Sequence, residues 1–277
     1  MKKTILAATL ISLFSGAALA NTTYELSHDG DKETTAKFDS ELIGGLHGGI
    51  ELVAMDNLKY HKETTFSLAY NFDITDAWYI EPQFDLTIPS HHAGRASYYG
   101  NINGSAMMPG GDEVDANYKS SNTAKLGIET GYSFDNGFYT SARYRYEVRD
   151  GKLKAKFLSV KEGIDATLSS KEKEKLHRFD LTAGYVVSDM VDLSANYIIK
   201  MGKLDIDNKV SEYKLKKSLD TDYSQAELEL KAQYTGFDNF KPYFQYTIKG
   251  DTDFDGSLDG LKLKNDNVWK VGAQFSF

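Results

Sequence analysis

The segment Trp269–Phe277 alternates without interruption. Trp269, Val271, Ala273, Phe275 and Phe277 fall on one face, and Lys270, Gly272, Gln274 and Ser276 on the other. Period two is the spacing of a β-strand, and a strand with one apolar and one polar face separates two media. The pattern recurs upstream. Phe244, Tyr246 and Ile248 form one apolar row, Leu228, Leu230 and Tyr234 the next, then Leu193, Tyr197 and Met201, and Phe179, Leu181 and Tyr185. Earlier still come Tyr144, Tyr146 and Val148, then Leu126, Ile128 and Tyr132, then Trp78, Ile80, Phe84 and Ile88, and Phe66, Leu68 and Tyr70. Weaker segments at Tyr24–His28, Thr35–Ile43 and Gly49–Met55 bring the strands to twelve. Pro82 lacks an amide hydrogen, which predicts a local irregularity in its strand.

Connection lengths alternate as well. Asp73–Ala77, Asp135–Gly137, Ser188–Met190 and Gly236–Phe240 are short turns rich in Asp, Asn or Gly. Between them lie the long polar stretches Pro89–Asn122, Asp150–His177, Lys203–Tyr223 and Gly250–Asp266. An even strand count with tight turns on one rim and long loops on the other predicts a fold class. It is all-β: a transmembrane antiparallel β-barrel of about 12 strands, with short periplasmic turns and long extracellular loops. A soluble sandwich has no reason to alternate its loop lengths, and it would have to bury a face rich in aromatics. Aromatics make up 13% of a chain that is only 41% hydrophobic. In a barrel that face meets lipid, with Trp and Tyr at the interfaces, and closure satisfies every backbone group. No apolar run after residue 20 is long enough for a spanning helix.

The first twenty residues differ from the rest. Lys2 and Lys3 precede an apolar stretch from Thr4 to Leu13, and Ala18-Leu19-Ala20 has the small-x-small form of a cleavage site. Residues 1–20 are expected to be a cleaved export signal and 21–277 the barrel, delivered to the outer membrane of a Gram-negative bacterium. The formal charge of −8, with no basic block, excludes nucleic acid as a partner. The absence of cysteine excludes a disulfide scaffold and a thiolate metal site.

Twelve strands exceed the roughly eight whose interior side chains fill a barrel, so a narrow aqueous passage is expected. Parity places Arg143, Arg145, Arg149, Arg178, Lys200, Lys231, Lys241, Lys249 and Lys270 in that lumen, with Glu147, Asp180, Asp192, Glu227 and Glu229 among them. The first five strands contribute Glu25, Asp39, Glu41, Glu51, Glu81 and Asp85 against Lys37 alone, while Lys125 balances Glu129. One wall is thus predicted basic and the facing wall acidic, which sets a transverse field. Arg143, Arg145 and Arg149 form a ladder on one strand, suited to the carboxylates of an elongated acidic sugar. The alternative is internal salt bridging to Glu147, Glu129 or Asp180, and the sequence leaves both open.

Other motifs carry less. Asp251-x-Asp253-x-Asp255-Gly256 with Asp259 copies much of a calcium loop, but Lys262 stands where a bidentate Glu is required. A solvated acidic loop is expected there, with no metal and no cofactor anywhere. His91 and His92 lack a third ligand at metal spacing. Gly100, Gly104, Gly110 and Gly111 have no strand-to-helix context for phosphate. No Gly-x-Ser-x-Gly occurs and no inward row pairs Ser with His, so no enzyme is expected.

The segments Ser141–Tyr146, Ile80-Glu81-Pro82, Lys241-Pro242-Tyr243 and Val271–Phe277 together resemble the oligogalacturonate-specific porin family, which includes the KdgM and NanC porins. The resemblance implies a monomeric twelve-stranded channel for acidic oligosaccharides, with Arg143 and Arg145 in a basic track. It also implies outer-membrane lipid and lipopolysaccharide as surroundings, and recognition of the terminal Phe277 strand by the barrel-assembly machinery. Longer loops and more lumen carboxylates distinguish this chain, leaving a general or neutral-sugar porin as the alternative. A barrel enzyme resembling the outer-membrane phospholipase would need a lipid-facing His–Ser pair, and an adhesin role through the loops is a third reading.

Overall fold

The computed structural model describes residues 22–56, 58–90, 102–108, 112–159, 164–188, 190–211 and 215–277. Twelve strands form the wall: β1 (Thr22–Asp29), β2 (Thr34–Ile43), β3 (Leu46–Met55), β4 (Tyr60–Tyr70), β5 (Trp78–Pro89) and β6 (Asp112–Ser133), then β7 (Phe138–Ser159), β8 (Ile164–Val187), β9 (Val191–Val210), β10 (Leu215–Tyr234), β11 (Phe240–Lys249) and β12 (Val268–Ser276). Each pairs antiparallel with its chain neighbours, and β12 closes onto β1 with Tyr24 opposite Phe275. Short strands at Phe72–Thr75, Ile102–Met108, Thr252–Phe254 and Lys262–Leu263 flank this wall. Apart from one 3-10 turn at Gly256–Leu258, the described residues contain no helix.

Alternation decides which side of the wall each residue takes. Residues in cross-strand register share a face, and Tyr24, Phe38, Ile50, Phe66 and Leu86 form one continuous row across five strands. The row belongs to an outward apolar belt in which Leu126 is 60% exposed and Leu181 54%. A contiguous apolar surface of this extent marks a contact with membrane or protein, and around a closed barrel it matches the lipid-facing band. Tyrosines and other aromatics collect at its margins, with Tyr132 edge-on to Phe134 and Phe134 tilted against Phe138 beside one tight turn.

Tight turns sit on one rim. Gly44 and Gly45 connect β2 to β3 with φ of 46° and 82°, a left-handed pair that β-carbon sterics disfavour for other residues. The irregularity expected at Pro82 is an interruption of the neighbouring ladder. β4 stops at Tyr70 and the paired strand resumes at Phe72 without a register slip, because Pro82 has no N–H to donate between them. The Asn71 N–H turns instead to the Gly45 carbonyl, at 2.8 Å.

The opposite rim differs from the expectation of loops. β1–β5, β11 and β12 are 8 to 12 residues long, the span of a membrane strand. β6–β10 run for 20 to 24 residues. Most of Asp150–His177 and Lys203–Tyr223 is therefore strand, and β6–β10 rise beyond the belt as a five-stranded wall. There the outer face turns from apolar to charged. Leu153, Leu168, Leu204 and Ile206 point to the concave side, half-buried, while Lys171, Lys173 and Lys175 are exposed outside. Alternation continues there, with the outer row charged and the inner row mixing leucines with Arg149, Glu172 and Glu174.

Candidate functional site

The concave face of the barrel carries the charged side chains. Register aligns Glu81, Glu129, Arg143 and Asp180 in one lateral row and Asp85, Lys125 and Glu147 in another. Asp180, on β8, is almost fully buried and joins two guanidiniums. Arg178 donates to both of its oxygens, with Nη2 to Oδ1 at 2.6 Å, and Arg143 Nε lies 3.2 Å from Oδ2. Arg143 also approaches Glu129, at 4.0 Å. Arg145 Nε reaches Glu147 at 2.7 Å, and Arg149 Nη2 reaches Glu174 at 2.6 Å. Charge-assisted, partly bidentate pairs of this kind are short and geometrically fixed. Lys200 bonds Glu227 at 2.7 Å, and Lys249 lies 3.6 Å from Asp31.

Lys231, Lys241 and Lys270 differ from these. Among the described residues none has a carboxylate within 4.0 Å. Lys231 rests 4.4 Å above the Tyr243 ring, a cation–π contact, and register places Gln245 between it and Lys270. Asp29 stands opposite Lys270 on β1.

The acidic residues of β1–β5 occupy one arc, in which Lys37 stands in register between Glu25 and Glu51. Glu25 accepts the Tyr243 hydroxyl at 2.6 Å, Asp39 lies 3.5 Å from His47, and Glu41 accepts the Gly45 N–H at 3.1 Å. Glu51 stands in register between Lys37 and Thr65. Glu81 accepts from Gln83 at 2.7 Å, and Asp85 is opposite Lys125. Among the further carboxylates on this face that escaped the sequence reading are Glu63 and Glu174. Glu63 continues the Thr65–Ser67 row, and Glu174 continues the row of Arg178 and Asp180. Extending each alternation by two or four residues would have found them.

Also unforeseen is a set of tyrosines lying over glycines of the adjacent strand. Tyr139 covers Gly184 and reaches past β8 to Asp192 on β9, at 2.9 Å. Tyr243 covers Gly272 and reaches past β12 to Glu25 on β1. Tyr223 covers Gly202 and bonds Glu174 at 2.5 Å. Only glycine leaves room for a ring flat against the inner wall, and each hydroxyl ties strands that do not pair with one another.

The outward row of β8 includes His177. His177 Nδ1 lies 2.8 Å from the Tyr144 hydroxyl and its ring packs against Tyr146, which places it in the aromatic margin of the belt. In the loop of Asp residues, Lys262 Nζ sits 2.6 Å from Asp253, and that hydrogen bond holds the ammonium above its ordinary pKa. The export signal, His91, His92, Gly100, Gly110 and Gly111 lie outside the described residues.

No family model matches the sequence, and no curated protein matches it. Solved structures do. The chain is similar to the NanC porin at a TM-score of 0.51 and 12% identity, covering 92% of this chain and 100% of that one. It is similar to the KdgM porin at 0.49 and 12%, covering 93% and 99%. The likeness to NanC shows a shared fold, and that fold is the porin-type barrel.

Proposed function

We propose that this chain is an outer-membrane porin whose lumen passes acidic oligosaccharides by passive diffusion along the β7–β12 side. The observation that carries the reading is the segregation of charge around a closed barrel. The cations from Arg143 to Lys270 lie on β7–β12, and the arc β1–β5 holds Glu25, Asp39, Glu41, Glu51, Glu81 and Asp85. Opposed arcs of this sign produce a transverse field in a passage of low-dielectric wall. A polyanion drawn to the basic side meets Lys231, Lys241 and Lys270, which no carboxylate of the described wall neutralises by contact.

A second reading has its own support. The arginines are engaged by Asp180, Glu147 and Glu174, so their charge is largely cancelled at short range, as in a general porin. Planar-bilayer recordings distinguish the two. Stepwise conductance is expected, with an anion-favouring reversal potential in a salt gradient and current block by trigalacturonate below the concentration at which maltotriose blocks. Equal block by both sugars selects the general porin. Refolded protein that produces no conductance steps overturns the channel itself.

A further inference from the structure

The outward row changes character where the long strands leave the belt. On β8 it runs Leu181, Phe179 and His177, then Lys175, Lys173 and Lys171; on β7 it runs Tyr146 and Val148, then Asp150, Lys152 and Lys154. A one-residue bulge between Ser120 and Thr123 brings Lys119 of β6 onto the same face. Register then sets Lys119 opposite Lys152 and Lys152 opposite Lys171. Like charges directly opposite on a sheet repel, yet this row spans three strands. Lys119, Lys152, Lys154, Lys171, Lys173 and Lys175 are all exposed, and none makes an ion pair with a described residue.

The carboxylates of the same face are fewer. Asp150 and Asp205 flank Lys173 in register, Asp207 is opposite Lys171, and Asp165 is already engaged by Lys156 at 3.5 Å. On β9, Lys203 pairs with Asp220 at 2.9 Å. The β6–β8 part of the face is left with a lysine excess that the fold does not balance.

We propose that this lysine face docks the phosphates of outer-leaflet glycolipid, the head group and inner core of lipopolysaccharide. Height supports the assignment. With a rise of about 3.4 Å per residue and a tilt near 45°, Lys175 stands about 5 Å and Lys171 about 14 Å beyond the aromatic collar at His177. The interfacial zone of a bilayer leaflet is about 5–8 Å thick, so the face begins at the head groups and continues into the core sugars above them. It is continuous with the apolar belt, so a lipid whose tails lie on Phe179 and Leu181 presents its phosphates to Lys175 and Lys173. A solute moving through the lumen meets the other side of these strands, where Leu153 and Leu168 project. Lysine, a compact hydrated cation on a long stem, suits phosphates whose positions vary.

The inference rests on the outer-membrane reading, and the test separates the two. The refolded mature chain in detergent micelles is titrated with purified lipopolysaccharide and with the same material after dephosphorylation. Wild type is expected to bind the phosphorylated form at least about tenfold more tightly, given the attraction of each lysine near an anionic surface. The combined Lys152→Gln, Lys171→Gln, Lys173→Gln and Lys175→Gln variant should bind both forms equally weakly. The single variants Lys173→Gln and Lys175→Gln should each lower the preference for the phosphorylated form should the combined variant fail to fold, and Lys203→Gln should leave binding unchanged. Equal wild-type affinity for the two forms, or undiminished binding by the lysine variants, overturns the proposal. Conductance is recorded separately in plain phospholipid bilayers. Preferential binding without conductance removes the channel and leaves the lysine face, and conductance without preferential binding does the reverse.

Discussion

At the scale of single residues, contact between charges matters as much as their sum. Arg145 and Glu147 form a closed pair at 2.7 Å, so changing both to Gln removes two charges of opposite sign and leaves the net charge of the lumen intact. The reversal potential should stay where it is. Changing Lys231 and Lys270 to Gln removes two cations without a contacting carboxylate, and the reversal potential should move toward cations, most at low ionic strength where screening is weakest. A shift in the first variant as large as in the second would show that the pairing does not set the field. The tyrosine–glycine contacts permit a stability test of similar resolution. A β-carbon on Gly184 would collide with the Tyr139 ring, which could move only by giving up Asp192. Gly184→Val should cost about 1–3 kcal/mol, the usual range for an overpacked site, read as a lower urea midpoint of the folded barrel. Adding Tyr139→Ser should restore part of the loss, and a double variant weaker than the sum of the singles would refute the steric explanation.

At the scale of elements, closure depends on the last strand. β12 pairs with both β1 and β11, and the terminal Phe277 exchanges backbone hydrogen bonds with Thr22 while its ring meets Tyr24 edge-on. Deleting Phe277 removes the end of that seam together with the terminal apolar row expected to be read by the assembly machinery. The yield of heat-modifiable barrel in outer-membrane fractions should fall severalfold, and an unchanged yield would count against the strand's role in assembly. The long strands β6–β10 obey the same local rule as the short ones, with an outer face that turns from apolar to charged above the belt. Alternation marks a strand and its two sides but not the medium on either side, so a polar stretch such as Lys171-Glu172-Lys173-Glu174-Lys175 reads as loop when judged by polarity alone. Its inner partners, Glu172 and Glu174, engage Tyr118, Arg149 and Tyr223.

At the scale of the whole molecule, the barrel is asymmetric along its axis and around it. Tight turns close one rim, and a partial wall of β6–β10 rises from the other. An epitope inserted within Asp150–His177 should be accessible to antibody on intact cells, whereas one inserted at Asp135–Gly137 should be accessible only after permeabilisation. The reverse pattern would turn the barrel over and exchange the lipid leaflets assigned to each rim. The sequence alone determined the strand count, the two faces and the tight turns of one rim. These are local properties, each carried by a few consecutive residues such as Trp269–Phe277 or Asp135–Gly137. Lateral pairing decided the rest. That Asp180 sits between Arg143 and Arg178, that Tyr139 crosses Gly184 to reach Asp192, and that Lys119, Lys152 and Lys171 stand in one row all depend on the register between separate strands. A one-residue slip, such as the bulge after Ser120, exchanges the faces of everything beyond it. Register is set by closure of the entire sheet, and no single segment of the chain contains it.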